Sequence, residues 1–474
     1  MRVSLGRLTA CGLVLLGFGA LIPFAAAQQR QAPADSLLQT QRALDETLKQ
    51  ERREQAPLNA LLDWQWGGWI DYYVFHFDDG VQSQRVLQRP GMSAWTRLRI
   101  DDGAHEFFAR IRLRLDYFDP GDEFDRQEDW VGPNFDRAWY QLDLNKALHL
   151  DNSAPLSFKT RIGRQDVQFG TGYALDLPLD AVVLDFEIQR FRAIGLLGKT
   201  PGSTPNVDRS APVDSHSNRH FYGVQLQYEG IQNHVPFAYA LWQQDHTDER
   251  PKDFFQEYNY ESQYFGIGSR GQIVRNLNYW AEGVWESGRS YGDGQFLRQD
   301  YIAAYGWDAG LEYLFGGDYR PRLAGEYMFG SGDSGRIFSP TNALGGNRGD
   351  RKDSSFVGFG YRDTGISAAL ATSNIHVFKA SGSVAPAPNI ELLRDLELGT
   401  NWYLYYKNKR HGAVSDTLAD EYSGYAGWEM DYYANWRIDA DLSWTIRWGM
   451  FFPGSAFSDR DSRSFLVTGL TWSF

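Results

Sequence analysis

Leu442-Ser443-Trp444-Thr445-Ile446-Arg447-Trp448-Gly449-Met450 alternates residue by residue. Leu442, Trp444, Ile446, Trp448 and Met450 fall on one side, and Ser443, Thr445, Arg447 and Gly449 on the other. Residues 109–117 repeat the pattern, with Ala109, Ile111, Leu113, Leu115 and Tyr117 set against Arg110, Arg112, Arg114 and Asp116. Successive side chains of a strand point to opposite faces, so this period of two marks a strand lying between an apolar and a polar medium. A soluble antiparallel sheet over a core offers one such setting. A membrane barrel, with lipid outside and a wet lumen inside, offers the other.

Working outward, four features favour the barrel. The alternating segments run about 9–16 residues, near the length of a tilted membrane strand. Rings gather near strand ends, as at Tyr72, Tyr73, Phe75 and Phe77 or Tyr403, Tyr405 and Tyr406, where interfacial girdles belong. Connections alternate between short and long. The chain ends on a strand whose Leu466, Thr468, Leu470, Trp472 and Phe474 share a face. That ending resembles the signature which bacterial outer-membrane barrels present to their barrel-assembly machinery, with Phe474 as its last residue.

The expected fold class is therefore all-β, a transmembrane antiparallel β-barrel of about 18 strands. The segmentation is 63–78, 93–101, 105–117, 135–145, 156–168, 181–188, 190–198, 219–229 and 235–246, then 259–270, 277–288, 300–314, 321–330, 373–383, 390–407, 425–437, 441–452 and 462–474. The tight turn near Gln189 and the stretch 354–361, either strand or loop, are its two open points. Short turns face the periplasm and long loops the exterior if both termini are periplasmic.

Composition agrees. Only the extreme N-terminus holds an uncharged run of the roughly 18 residues a spanning helix needs. Across 474 residues there are 16 Trp, 26 Tyr and 30 Phe, more rings than a soluble acidic chain needs. A net charge of −13 argues against a nucleic-acid partner. Arg2 and Arg7, the apolar run 13–24 and Ala25-Ala26-Ala27 make residues 1–27 a secretory signal peptide. Leu8-Thr9-Ala10-Cys11 resembles a lipoprotein box but precedes the apolar run instead of following it. Cleavage near Ala27 removes the single Cys, so the mature chain has no disulfide. Residues 28–60 form a periplasmic segment whose helical part, 36–55, carries a stripe of Leu37, Leu44 and Leu48. The stripe covers barely two heptads and reads as a short exposed helix, too brief for a coiled coil. Residues 61–474 are the barrel.

Turning the apolar face to lipid assigns the lumen. The basic inward positions are Arg97, Arg99, Arg110, Arg112, Arg114, Arg137, Lys159, Arg161, Arg192, Arg322 and Arg447. The acidic ones are Asp185, Glu187, Glu282, Glu286, Asp308, Glu312, Glu326, Glu429 and Asp431. The basic set concentrates early in the chain and the acidic set late, which predicts a transverse field across the pore. The preference for arginine over lysine suits a carboxylate-bearing passenger, because the guanidinium fork matches a carboxylate. The alternative is that these arginines pair with inward acids and simply hold the barrel's shape. In 161–172, a bend at Gly163 is expected to turn both Arg161 and Arg164 inward. Phe169-Gly170-Thr171-Gly172 allows a loop to fold into the pore mouth.

Gly163-Arg164-Gln165, Gly360-Tyr361 with Thr364-Gly365, Ser373-Asn374-Ile375-His376, and Arg447 with Phe452-Pro453-Gly454 recur in a meaningful order. In these patches the chain resembles the alginate export family of outer-membrane porins. The resemblance implies an 18-stranded monomeric barrel whose arginine-lined constriction passes a polyuronate outward. Arg161, Arg164 and Arg447 match motif positions; the remaining basic residues rest on the inward assignment. The implied partners are an anionic polysaccharide or anionic solute, the lipid bilayer with lipopolysaccharide, and periplasmic synthesis or export proteins. A small-solute porin with a transverse-field constriction is the second reading. A barrel enzyme is a distant third, since His216-Ser217-Asn218 are sequence neighbours and triads are assembled from distant segments. The acidic loop 119–129 matches no ordered calcium-binding spacing. No cofactor or metal is expected.

Overall fold

The computed structural model describes residues 62–78, 84–121, 127–150, 156–202, 204, 217–247, 259–291, 298–336, 338–341, 347–348 and 351–474. The signal peptide expected at 1–27, the helix expected at 36–55 and residues 122–126 of loop 119–129 lie outside the described residues. The strands are β1 (Leu62–Asp78), β2 (Arg85–Ile100), β3 (His105–Asp119), β4 (Glu128–Asp143), β5 (Leu156–Phe169), β6 (Leu175–Ile188), β7 (Phe191–Lys199), β8 (Arg219–Tyr228) and β9 (His234–Asp245). They continue as β10 (Glu261–Val274), β11 (Leu277–Arg289), β12 (Tyr301–Leu314), β13 (Arg322–Gly330), β14 (Lys352–Asp353), β15 (Ile375–Val384), β16 (Leu396–Lys407), β17 (Tyr425–Arg437), β18 (Leu442–Pro453) and β19 (Arg463–Ser473). β14 is a two-residue piece running parallel to β12. The other 18 pair antiparallel, each with its sequence neighbour, and β1 closes on β19 from Trp69↔Ser473 to Asp78↔Ser464.

Closure follows from the medium. Hydrocarbon offers no partner for a backbone N–H or C=O, so a spanning sheet cannot keep an edge. The last residue takes part: Phe474 N donates to Gly68 O at 2.9 Å and Gly68 N to Phe474 O at 3.0 Å. The alternation holds round the wall. On β18, Arg447 and Gly449 are buried inside while Trp448 is exposed outside. On β19, Leu470 and Trp472 are exposed and Phe465 and Val467 buried, and Phe474 just past the strand is exposed too.

The structure corrects the sequence reading in several places. β2 begins at Arg85 and β4 at Glu128, so loops 79–92 and 118–134 are shorter than expected. Pro90 and Pro133 obscure the alternation there. The connection after β15 is longer than expected and contains a 3-10 turn at Glu391–Leu393. Residues 354–361 are loop, not strand. Residues 189–190 form a tight turn with Gln189 at φ 58°. Of the rings read as a girdle, Tyr72 is exposed, whereas Tyr73, Phe75, Tyr403 and Tyr405 point inward and are buried. Their parity on the strand, rather than their nearness to its end, decides the face.

Several inward glycines sit under a ring from the neighbouring strand. A Cβ at Gly399 would stand 2.1 Å from Tyr433 Cζ, and one at Gly469 2.2 Å from Tyr73 Cδ1. Gly399→Val is expected to destabilise the barrel by about 1–3 kcal/mol through overpacking, read as a lower urea midpoint of the lipid-refolded protein. Adding Tyr433→Ala should recover part of that loss; an unchanged midpoint in Gly399→Val would contradict this packing.

Candidate functional site

Two segments leave the wall and fill much of the lumen. The first is the hairpin joining β5 and β6. The β4–β5 ladder runs only from Asp143↔Lys159 to Ala138↔Arg164, and β6 meets β7 only from Asp180 onward. Beyond those points β5 and β6 pair with each other as far as Phe169↔Leu175. The tip then reaches the opposite wall: Thr171 N donates to Glu282 Oε2 at 2.5 Å, and Tyr173 OH to Phe329 O at 2.6 Å. Glu282 lies on β11, six strands from β5, about 29 Å round the wall at ~4.8 Å per strand. Only a path through the lumen joins them. The Phe169–Gly172 loop thus folds inward as its glycines suggested.

The second segment is 354–372. Val357 N donates to Glu286 Oε2 at 2.8 Å, and Ser367 N and Ala368 N each donate to Glu429 at 2.7 Å. Wall tyrosines complete these anchors. Tyr239 OH donates to Glu282, Tyr260 OH to Glu286 and Tyr405 OH to Glu429. The two segments also meet each other, with Phe359 N donating to Ala174 O at 2.9 Å and Asp176 N to Phe359 O at 3.1 Å. Between hairpin, loop and wall lies an apolar cluster that includes Phe169, Leu175, Phe221, Tyr264 and Phe356.

This arrangement changes the meaning of the acidic wall. Glu282, Glu286, Asp308, Glu429 and Asp431 do point inward, as expected, but each is at most 3% exposed. They hold inserted segments instead of presenting charge to a passenger. A buried carboxylate is tolerable only when hydrogen-bonded or paired, and backbone N–H groups and cations supply that here. Arg362 Nε donates to Asp308 at 2.9 Å and its Nη2 to Thr171 Oγ1 at 2.6 Å. Arg447 Nη2 reaches Asp431 at 2.8 Å and Asp363 at 3.0 Å, and Lys379 Nζ reaches Asp363 at 3.2 Å. Burial pushes the Asp363 carboxyl up, but Arg447 and Lys379 outweigh it and hold the group well below the usual carboxylate range. Its contribution to the folded loop is therefore complete above the ordinary carboxylate pKa and lost only as pH falls through the lowered value.

The basic wall is different. Arg97 and Arg99 of β2, Arg110, Arg112 and Arg114 of β3, Arg137 of β4, and Lys159 and Arg161 of β5 occupy lumen-facing positions on four adjacent strands. Several pair locally: Arg97 with Glu106 at 2.7 Å, Arg110 with Asp136 at 2.9 Å, Arg114 with Asp116 at 3.3 Å, and Arg137 with Asp166. Lys159 lies 3.7 Å from Asp143. Among the described residues Arg161 makes no ion pair; its Nε and Nη2 both donate to Gln141 Oε1, at 3.0 and 2.6 Å. A cavity of about 360 Å³ opens beside it, lined in part by Gln141, Lys159, Arg161, Gln165, Asp185 and Arg192. Arg192 forms its own pair with Asp185 at 2.6 Å.

The other expected residues stand apart. Arg322 pairs with Glu312 on the far wall. Arg447 is inside the Asp363–Asp431 cluster, so it anchors the loop. Arg164 is not turned inward with Arg161. Gly163 has φ 128°, but the β5 register passes through it without a shift. Parity therefore puts Arg164 on the other face, where it pairs with Asp180 at 2.7 Å and donates to Phe135 O at 2.9 Å. Sequence reasoning missed Arg362, Asp363 and Lys379, because two lie in a loop and the third was not weighed. It also missed Arg89, which pairs with Asp116 at 2.7 Å; the alternation Leu87, Arg89, Gly91, Ser93 carried that signal.

Asp363→Asn should loosen the 354–372 segment by removing the charge that Arg447 and Lys379 share. The expected outcome is a larger and noisier single-channel conductance in planar bilayers with the barrel intact by heat-modifiable electrophoretic mobility. An unchanged conductance would show that this cluster does not set the bore.

The architecture matches solved structures from Pseudomonas aeruginosa. The chain is 11% identical to Pseudomonas aeruginosa OpdO, with a TM-score of 0.53 and coverage of 87% of this chain and 97% of that one. It is likewise 11% identical to OccK5 (OpdH) of the same organism, with a TM-score of 0.51 and coverage of 87% and 98%. OccK7 (OpdD), also from Pseudomonas aeruginosa, gives 13% identity, a TM-score of 0.50 and coverage of 87% and 99%. These likenesses establish the fold, a closed antiparallel β-barrel. No curated protein sequence matches the chain. The family described as alginate export matches residues 120–466, well over half of the sequence. The chain belongs to the alginate export family.

Proposed function

We propose that this protein is a passive outer-membrane channel that exports an anionic polysaccharide, alginate or a similar polyuronate, past the arginines of β2–β5. The observation that carries this reading is the asymmetry of the lumen. The acidic wall is covered by inserted segments, while Arg97, Arg110, Arg112 and Arg161 line the side those segments leave. Cations crowded along a low-dielectric wall raise the local concentration of an anion, and guanidinium forks pair with carboxylates. Membership of the alginate export family supports the same reading.

The second reading, a porin for small anionic solutes, draws on a separate observation. Two inserted segments narrow the lumen, and the cavity beside Arg161 measures about 360 Å³, room for a small molecule. In either case the protein sits in the outer membrane among lipid and lipopolysaccharide, with Phe474 offered to the barrel-assembly machinery during insertion and periplasmic synthesis or export proteins as partners.

Replacing Arg110, Arg112 and Arg161 together by Ser tests the shared core of both readings. Zero-current potentials in a salt gradient should move from anion-selective toward neutral, with folding retained. Unchanged selectivity would defeat the arginine-lined conduit. Block by oligouronates in the wild type, against free passage of small anions without block, separates polymer from solute.

A further inference from the structure

Most cations of the basic wall hold a carboxylate that belongs to the wall itself. Glu106, paired with Arg97, and Asp116, paired with Arg114, lie on β3. Asp136, paired with Arg110, and Asp143, 3.7 Å from Lys159, lie on β4. The side chains of these four acids are 9–11% exposed. Withdrawing a buried carboxylate of this kind strands the charge of its partner, a costly change.

Arg137 is served differently. Its carboxylate comes from Asp166, two residues beyond the last β4–β5 pair, Ala138↔Arg164, where β5 has left the wall for the hairpin. Arg137 Nε donates to Asp166 Oδ2 at 2.7 Å, and Nη2 donates to Oδ1. This is the two-pronged contact that a guanidinium offers to any carboxylate. The Arg137 side chain is 11% exposed, but that of Asp166 is 60% exposed. Asp166 also lines the cavity of about 360 Å³ beside Arg161. The buried arginine is therefore approached from that cavity, by way of the position Asp166 holds. An ion pair with one partner so open to water is weak.

Arg161 supplies a first foothold. Its fork rests on the amide oxygen of Gln141, a neutral acceptor that binds a guanidinium less strongly than a carboxylate does. Gln141 is directly opposite Arg161 on β4, and Arg137 stands four residues along that strand, about 13 Å at ~3.3 Å per residue.

We propose that Asp166 is an exchangeable counter-ion, which occupies the Arg137 fork at rest and yields it to a carboxylate of the passenger. This rests on the anion-conduit reading above and adds a step to it. A lone small anion competes poorly with a tethered carboxylate, whose effective concentration is of the order of millimolar or more. A chain already held at Arg161 has the same advantage, because its next carboxylates are delivered to Arg137 by the chain. One carboxylate leaves the fork, one enters, and no proton moves. The displaced Asp166 is already largely hydrated, so the exchange leaves no buried charge unpaired.

The test records block of the full chain in planar bilayers by a uronate tetrasaccharide, with heat-modifiable mobility confirming the fold of every variant. Asp166→Asn should lower the half-blocking concentration about five-fold and Arg137→Gln should raise it about five-fold, the size of one part-exposed charge pair. Asp166→Glu keeps the carboxylate and should stay within about two-fold of the wild type. In the Arg137→Gln background, Asp166→Asn should change the block by less than about two-fold, because the fork it competes for is gone. Shifts in the same direction for both single variants would make the pair a latch for the hairpin and overturn the exchange. A gain from Asp166→Asn that persists in full without Arg137 would reduce Asp166 to a distant charge and overturn it as well. Failure of the conduit reading looks different: the wild-type channel would show neither anion preference nor block, and the exchange would fall with it.

Discussion

A polypeptide crossing hydrocarbon must satisfy every backbone donor and acceptor within itself. Everything else in this molecule is arranged around that requirement. The ladder that joins β1 to β19 leaves no edge, and once the ring is closed an 18-strand circumference encloses more space than its own side chains can fill. The surplus is occupied by chain taken from one end of the barrel: the β5–β6 hairpin and the segment 354–372. Those insertions need partners for their own backbone groups, and the wall provides carboxylates at Glu282, Glu286 and Glu429, each paired with a tyrosine hydroxyl. The charge pattern of the lumen follows from this division of labour.

The barrel was readable because alternation is local. Residues 109–117 and 442–450 declare their two faces without reference to any distant contact, and the terminal strand does the same. Strand limits failed where proline or glycine interrupts the pattern, as at Pro90 and at Gly132 and Pro133. Which way a side chain faces was also readable, since it depends only on parity. Arg161 and Arg164 therefore have different neighbours: the positive φ at Gly163 bends β5 without adding a residue to it.

What those faces meet was not readable. Tyr403 and Tyr405 look like girdle residues until the chain at 364–370 is laid over them. Glu429 looks like a pore charge until Ser367 and Ala368 donate to it. Both depend on contacts separated by dozens of residues, and no periodicity records them. The many aromatic residues accordingly divide into an outer set at the lipid and an inner set that packs the insertions, a split invisible in composition.

The hairpin and the 354–372 segment are tied to the wall through side chains and their own backbone, while the ladder of the staves runs on beneath them. Calibre and architecture are thereby written in different parts of the sequence. Substitutions in about thirty residues of inserted chain can widen, narrow or re-charge the passage without renegotiating a cross-strand pair of the closed wall. A lineage can retune what passes through such a wall far faster than it can alter the wall itself.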